Sequence, residues 1–239
     1  MAAHPTRRVV AIHQPNYLPW LGYFHKMFRC DVFVFLDDVQ MSRQSYTQRV
    51  QVLQGMEPRW LTVPILHSGH FGQSIKDTRC DPRVPWARKH AATLQASYGR
   101  HPCFATVFPD VGEQLSRNPE NLADVNVGLI ERLAARLAAP CAFVRSSTLG
   151  VVVEDPTDRL VALVQSLGGT SYLHGGGGTK YQDAERFTAA GIELVAQGFR
   201  PEPYPQRGPA QFVGGLSVVD ALFNLGYDAV RELLAAPGA

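Results

Sequence analysis

Apolar positions in the first forty residues fall into two short unbroken blocks. Arg8–Ile12 is a β-branched run and Val32–Leu36 is wholly apolar or aromatic, so both predict buried strands. Between them Trp20, Tyr23, Phe24, Met27 and Phe28 recur at helical spacing, just after Pro19, a residue that the first turn of a helix accepts. Strand, loop, helix, strand is the parallel crossover unit, and its loops gather at the carboxyl ends of the strands.

From Gln40 the chain turns polar, reading MSRQSYTQR over residues 41–49. Val50–Leu53 and Trp60–Val63 predict two strands joined by a turn at Gly55. Val84–Tyr98 and Asn121–Leu137 carry helical patterning, and Pro102–Pro109 between them reads as irregular. The second half predicts a strand at Cys141–Arg145, a helix at Pro156–Leu167 and a strand at Ser171–His174. A helix at Tyr181–Ala190, stopped by Gly191, and a strand at Ile192–Ala196 follow. Pro201–Pro209 is an extended loop, and Ser217–Leu234 closes with a helix broken at Gly226. The expected fold is α/β: a mainly parallel sheet with helices on both faces and an inserted β-hairpin, Rossmann-like, in one domain over residues 1–239.

Composition narrows the partners. Apolar residues make up 45% and charged residues 18% of 239, which is ordinary for a globular chain. The net charge of +2 and the lack of a basic stripe argue against nucleic acid and leave a small-molecule substrate or another protein. No stretch reaches the roughly 20 apolar residues of a membrane helix, and His13 and Gln14 interrupt the first apolar run short of a signal-peptide core. The four cysteines, Cys30, Cys80, Cys103 and Cys141, are scattered as expected for reduced thiols, so the expected compartment is cytoplasmic.

Two segments carry candidate chemistry. In residues 13–49, His13 and Gln14 stand where the first strand ends, and Asp37 and Asp38 end the second on the same sheet edge. Ligands of parallel sheets bind beyond those edges. His13 reads as a general acid or base whose ring an aspartate orients, making His13, Asp37 and Asp38 the candidate catalytic groups. The competing structural reading is a histidine capping a strand and carboxylates capping a turn. Gln14, Asn16, Tyr17, Trp20 and Tyr23 are candidate substrate contacts from the first loop and helix, although Trp20 shares the spacing of a buried helical face with Phe24 and Phe28. Gln40, Tyr46 and Arg49 are candidates from the polar stretch; Arg49, like Arg43, either clamps an anionic group or neutralises the acidic pair.

The second segment reads SYLHGGGGTKYQDAERF from Ser171. Consecutive glycines between a strand and a helix let backbone approach a ligand, and a helix start plus Lys180 add positive potential. His174, Gly175, Gly176, Lys180 and Tyr181 are the candidates here, with a merely tight turn as the alternative. The spacing is neither that of a Walker loop nor that of the dinucleotide fingerprint. No serine nucleophile motif is present, and Cys30, beside Asp31, sits poorly for a lowered thiol pKa. His13, His67 and His70 lack zinc-type spacing, so neither a metal nor a cofactor is expected.

The run IHQPNYLPWLGYF, the following DVFVFLDDVQ, the polar segment ending in Arg49, WLTVP at Trp60–Pro64 and YLHGGGGTKY…GIEL…YPQ together resemble the WbqC-like protein family, over nearly the whole chain and in the same order. The chain departs from that pattern at Gln48, where the family usually has Asn, and at His174, where Ser is common. The resemblance implies an acyl or aminoacyl transferase acting on an amine acceptor, such as an amino sugar, in bacterial surface-polysaccharide or natural-product biosynthesis. It implies a small-molecule substrate and an acyl- or peptidyl-carrier protein as partners. Two other classes remain: a nucleotidylyltransferase-like nucleotide-binding enzyme, and a non-catalytic small-molecule-binding protein.

Overall fold

The computed structural model describes residues 7–66, 72–117, 119–176 and 183–236. The chain opens with β1 (Val9–His13), α1 (Leu21–Met27) and β2 (Val32–Phe35), the crossover unit that the apolar blocks predict. A long excursion follows: the hairpin β3 (Arg49–Gln54) and β4 (Glu57–Thr62), then α2 (Trp86–Tyr98), α3 (Phe104–Ser116) and α4 (Leu122–Arg136). The chain re-enters the sheet with β5 (Ala142–Arg145), which runs into a 3-10 turn at Ser146–Thr148. Then come α5 (Pro156–Ser166), β6 (Ser171–His174), α6 (Ala184–Ala189), β7 (Glu193–Ala196) and α7 (Val218–Ala235).

The main sheet has the order β5-β2-β1-β6-β7 with every pairing parallel, and β3–β4 form a separate antiparallel ribbon. Side chains alternate across the sheet. Ala11, Phe33, Phe35 and Leu173 face the larger core, with residues of α1–α4 and α7. Val10, Ile12, Val32, Val34 and Tyr172 face a smaller core with Leu163 and Val164 of α5 and Phe187 of α6. Helices therefore cover both faces, which is why the strands read as continuous apolar runs.

Two local expectations need correction. Pro102–Pro109 is not irregular: α3 runs through it with Pro109 inside. A proline there removes a helical hydrogen bond at a cost of about 3 kcal/mol. Phe104, Val107, Val111 and Leu115 of that helix are buried in the larger core, and their packing offsets the cost. The first helix, read as having one apolar face, is buried all round, including His25 (0% exposed) and Lys26 (3%). Gly226 does break α7, with φ of 83°, and Gly191 stops α6 with φ of 72°.

Candidate functional site

Numbered along the chain within the sheet alone, the five strands lie in the order 3-2-1-4-5, so the winding reverses between β1 and β6. Beyond the carboxyl ends at such a reversal, neighbouring loops diverge and leave a crevice, the usual ligand position of doubly wound sheets. A cleft of about 260 Å³ lies there, lined by His13 after β1, Trp20, Tyr23 and Lys26 around α1, Gly175 and Gly176 after β6, and Gln197 and Phe199 after β7. The two segments singled out in the sequence thus meet in one cavity.

His13 is half-buried with a defined tautomer. Its Nδ1 lies 3.1 Å from the Gln14 carbonyl oxygen, which can only accept, so Nδ1 carries the proton and Nε2 keeps its lone pair. Burial, and then the charge of Lys26, push its pKa down to about 3, which keeps the ring neutral at physiological pH. Tyr23 packs against the imidazole edge-to-face, and its hydroxyl donates to the same Gln14 carbonyl at 3.0 Å.

Lys26 is the second unusual group. Burial pulls its pKa down to about 8, and among the described residues no hydrogen bond or ion pair engages its ammonium. A Cβ at Gly175 would lie 3.3 Å from Nζ, so the absence of a side chain there is what lets loop and ammonium approach. Gln197 closes this end: its Nε2 donates to the Gly22 carbonyl at 2.6 Å and lies 3.1 Å from His25 Nδ1, leaving Oε1 on the Gly175 side. Trp20 and Phe199 form an aromatic wall with centroids 5.4 Å apart. They close over Gly22, where a Cβ would come within 2.5 Å of Trp20 and 2.7 Å of Phe199.

Other expected site residues lie elsewhere. Asp37 is fully buried and accepts from the Ser146 hydroxyl (3.2 Å), the Ser147 amide (3.0 Å) and the Ser147 hydroxyl (2.9 Å), with Arg145 at 4.0 Å. Asp38 accepts from Ser146 at 2.5 Å and pairs with Arg159 at 2.7 Å. Both carboxylates thus fasten β2 to the turn after β5, and His13 takes its orienting bond from a backbone carbonyl instead. Tyr17 is fully buried, bonded to His90 at 2.8 Å and packed on Trp86. Asn16 and Gln14 receive the Thr47 hydroxyl, at 3.5 and 3.3 Å. Tyr46 and Arg49 gather on Trp60 of the hairpin, the guanidinium 4.2 Å over its ring. Gln40 is exposed and bridges to Ser74. None of these lines the cleft. His174 is half-buried at the end of β6, its Nδ1 3.4 Å from the Gly175 carbonyl oxygen, and is likewise outside the cleft lining. Lys180 and Tyr181 lie outside the described residues, as do His67 and His70. At the start of the helix after the glycines, the Asp183 carboxylate accepts from the Glu185 amide.

A hydrogen bond with Cys141 and burial push the Cys30 thiol far up, which favours the protonated form. Among the described residues no group of three His, Cys, Asp or Glu side chains could hold a metal ion, and no helix is long and apolar enough to cross a membrane. Lys26, Gln197 and Phe199 went unnoticed in the sequence. Lys26 carried one usable signal, being one of only two polar residues, with His25, in Leu21–Met27.

The fold defines a doubly wound α/β protein with a crevice at the reversal of strand order. The chain matches the WbqC-like protein family over residues 14–232 and belongs to that family. It is also similar to the uncharacterized protein Rv1507c of Mycobacterium tuberculosis, with 29% identity over 224 residues, covering 92% of this chain and 95% of that protein.

Proposed function

We propose that this protein transfers an acyl or aminoacyl group from an activated donor to an amine, with His13 handling the proton. The observation that carries this reading is the neutral His13 ring lining the cleft, its Nδ1 proton occupied by Gln14 and its Nε2 lone pair open. In the reaction, the amine nitrogen attacks the acyl carbon of a thioester. A C–N bond forms, the C–S bond breaks, and the amine proton passes through Nε2 to the departing thiolate. Lys26 is the second cause of the low basicity of His13, so a ligand group that neutralises Lys26 raises that basicity. The buried thiol of Cys30 supports direct transfer without an acyl-enzyme. A carrier protein is the proposed thioester donor, the cytoplasm the proposed compartment, and residues 1–239 one working unit.

The test pairs amino-sugar nucleotides with acyl and aminoacyl thioesters and reads amide products by mass spectrometry. Amide formation that drops on the order of 10²–10⁴-fold in His13→Gln, with unchanged circular dichroism, is the expected result. An acyl adduct on Cys30, or full activity in His13→Gln, overturns the mechanism. The position of the cleft favours one other reading, since nucleotides bind at the same reversal of strand order. Heat stabilisation by ATP, with no amide from any thioester, would move the assignment to nucleotide chemistry.

A further inference from the structure

We infer that the floor of the cleft, where Lys26 meets Gly175, is a binding site for a carboxylate group carried by the substrate. The inference concerns the same cleft as the proposed transferase but does not depend on acyl transfer; only placing the carboxylate on the amine-bearing substrate rests on that reading.

Lys26 is 3% exposed, and burying an ammonium is costly unless an anion or several acceptors surround it. Among the described residues the other buried charged groups have partners: Asp37 has Ser146 and Ser147, Asp81 has Arg83, Asp110 has Arg132, Arg136 and Tyr227, and Asp220 has Tyr98 and Tyr204. Lys26 alone among these has neither hydrogen bond nor ion pair within the described residues, and it lines a cleft large enough for a small organic group. Burial pulls its pKa down to about 8.

The surroundings select the kind of anion. Among the described residues lining the cleft, Lys26 is the one cation and no arginine is present. A single ammonium neutralises a monoanion, whereas a phosphate dianion would leave excess negative charge in a half-enclosed, aromatic-walled site. Gly175 keeps the approach to Nζ clear, since even a methyl group would stand 3.3 Å from it. Gln197 is locked by Gly22 and His25 so that a neutral oxygen lies near the loop, suited to an N–H next to the carboxylate. Trp20, Tyr23 and Phe199 supply apolar contact for the rest of the molecule. A carboxylate, an adjacent N–H and an apolar remainder describe an amino acid or a similar amino-carboxylic compound.

Isothermal titration calorimetry with phenylacetate, its neutral isostere phenylacetamide, and inorganic phosphate tests the site without any acyl donor. Phenylacetate should bind at least tenfold more tightly than phenylacetamide, and Lys26→Met should remove that preference. Equal binding of acid and amide overturns the inference, as does a preference that survives in Lys26→Met. Inorganic phosphate that outcompetes phenylacetate and needs Lys26 also overturns it, in favour of a phosphate site. Should Lys26→Met fail to fold, the acid–amide comparison on the unaltered protein still decides. Carboxylate binding without amide synthesis would sink the transferase and leave the site standing; amide synthesis without carboxylate preference would do the reverse.

Discussion

The phenol of Tyr23 and the imidazole of His13 share one acceptor: the hydroxyl lies 3.0 Å and Nδ1 3.1 Å from the carbonyl oxygen of Gln14, while the two rings meet edge-to-face at 4.7 Å. This arrangement holds the neutral tautomer of His13 through backbone rather than through a carboxylate. Tyr23→Phe keeps the ring contact and leaves the Gln14 carbonyl bonded to His13, so it should cost only about 1 kcal/mol. Tyr23→Ala opens a cavity beside His13 and should cost about 3–5 kcal/mol. Urea unfolding of both variants checks the difference; equal losses would mean that the hydroxyl, not the ring, holds the pair.

Asp37 should behave as a structural residue. Its carboxylate accepts from the Ser147 amide and hydroxyl and shares the Ser146 proton with Asp38, so Asp37→Ala strands buried donors and should destabilise the protein by roughly 3–5 kcal/mol. The folded fraction should retain ligand binding in the cleft, whereas His13→Gln should fold normally and lose turnover. Thermal unfolding and calorimetric titration on the two variants separate these outcomes. A stable Asp37→Ala protein devoid of activity would return the aspartate to the catalytic group.

Lys26 should reduce stability at neutral pH. Its folded pKa, about 8, lies below its ordinary value of 10.5, so between those values the unfolded chain holds more protons. Stability from this group therefore rises as pH climbs from about 8 to about 10.5, and the penalty is fully present below about 8. Lys26→Met should raise the melting temperature at pH 7, with an upper limit of roughly 3 kcal/mol, and the gain should shrink by pH 10. Melting curves at the two pH values test it. A variant less stable at pH 7 than the parent contradicts the buried-charge account.

Acid should weaken the fold through His13, His25 and His90. Burial holds His13 down at about 3 and His25 and His90 at about 4, all below the ordinary 6.5. Their contribution is complete above about 6.5 and is lost as pH falls toward 4 and 3, because the unfolded chain takes up protons first. Each adds a slope of up to about 1.4 kcal/mol per pH unit. Urea midpoints from pH 8 to pH 4 should stay flat and then fall, and His13→Gln should flatten the fall by about one histidine.

The strands were legible because each is a local event. Val9–Ile12 and Val32–Phe35 are apolar runs covered on both faces, and the residues themselves carry that requirement. The hairpin and the stops at Gly191 and Gly226 were equally local, since a turn or a positive φ depends on the residue in place. Helix α3 was missed because a proline's cost is local and the packing that overrides it is not.

The site divides along the same line. His13 and the glycine run were visible as loop chemistry after strands, and the family pattern was visible in their order. Which strand ends become neighbours was set by the β5-β2-β1-β6-β7 arrangement, a matter of pairings between residues far apart in the chain. That arrangement sent Asp37 to Ser146 and Ser147 and brought Gly175 to Lys26. It also buried Lys26, since the helix patterning of Leu21–Met27 says which residues share a face but not how many faces other elements cover. Residue order determined the elements and the candidate groups; packing over long sequence separations decided which of those groups share a cavity and which carry an unanswered charge.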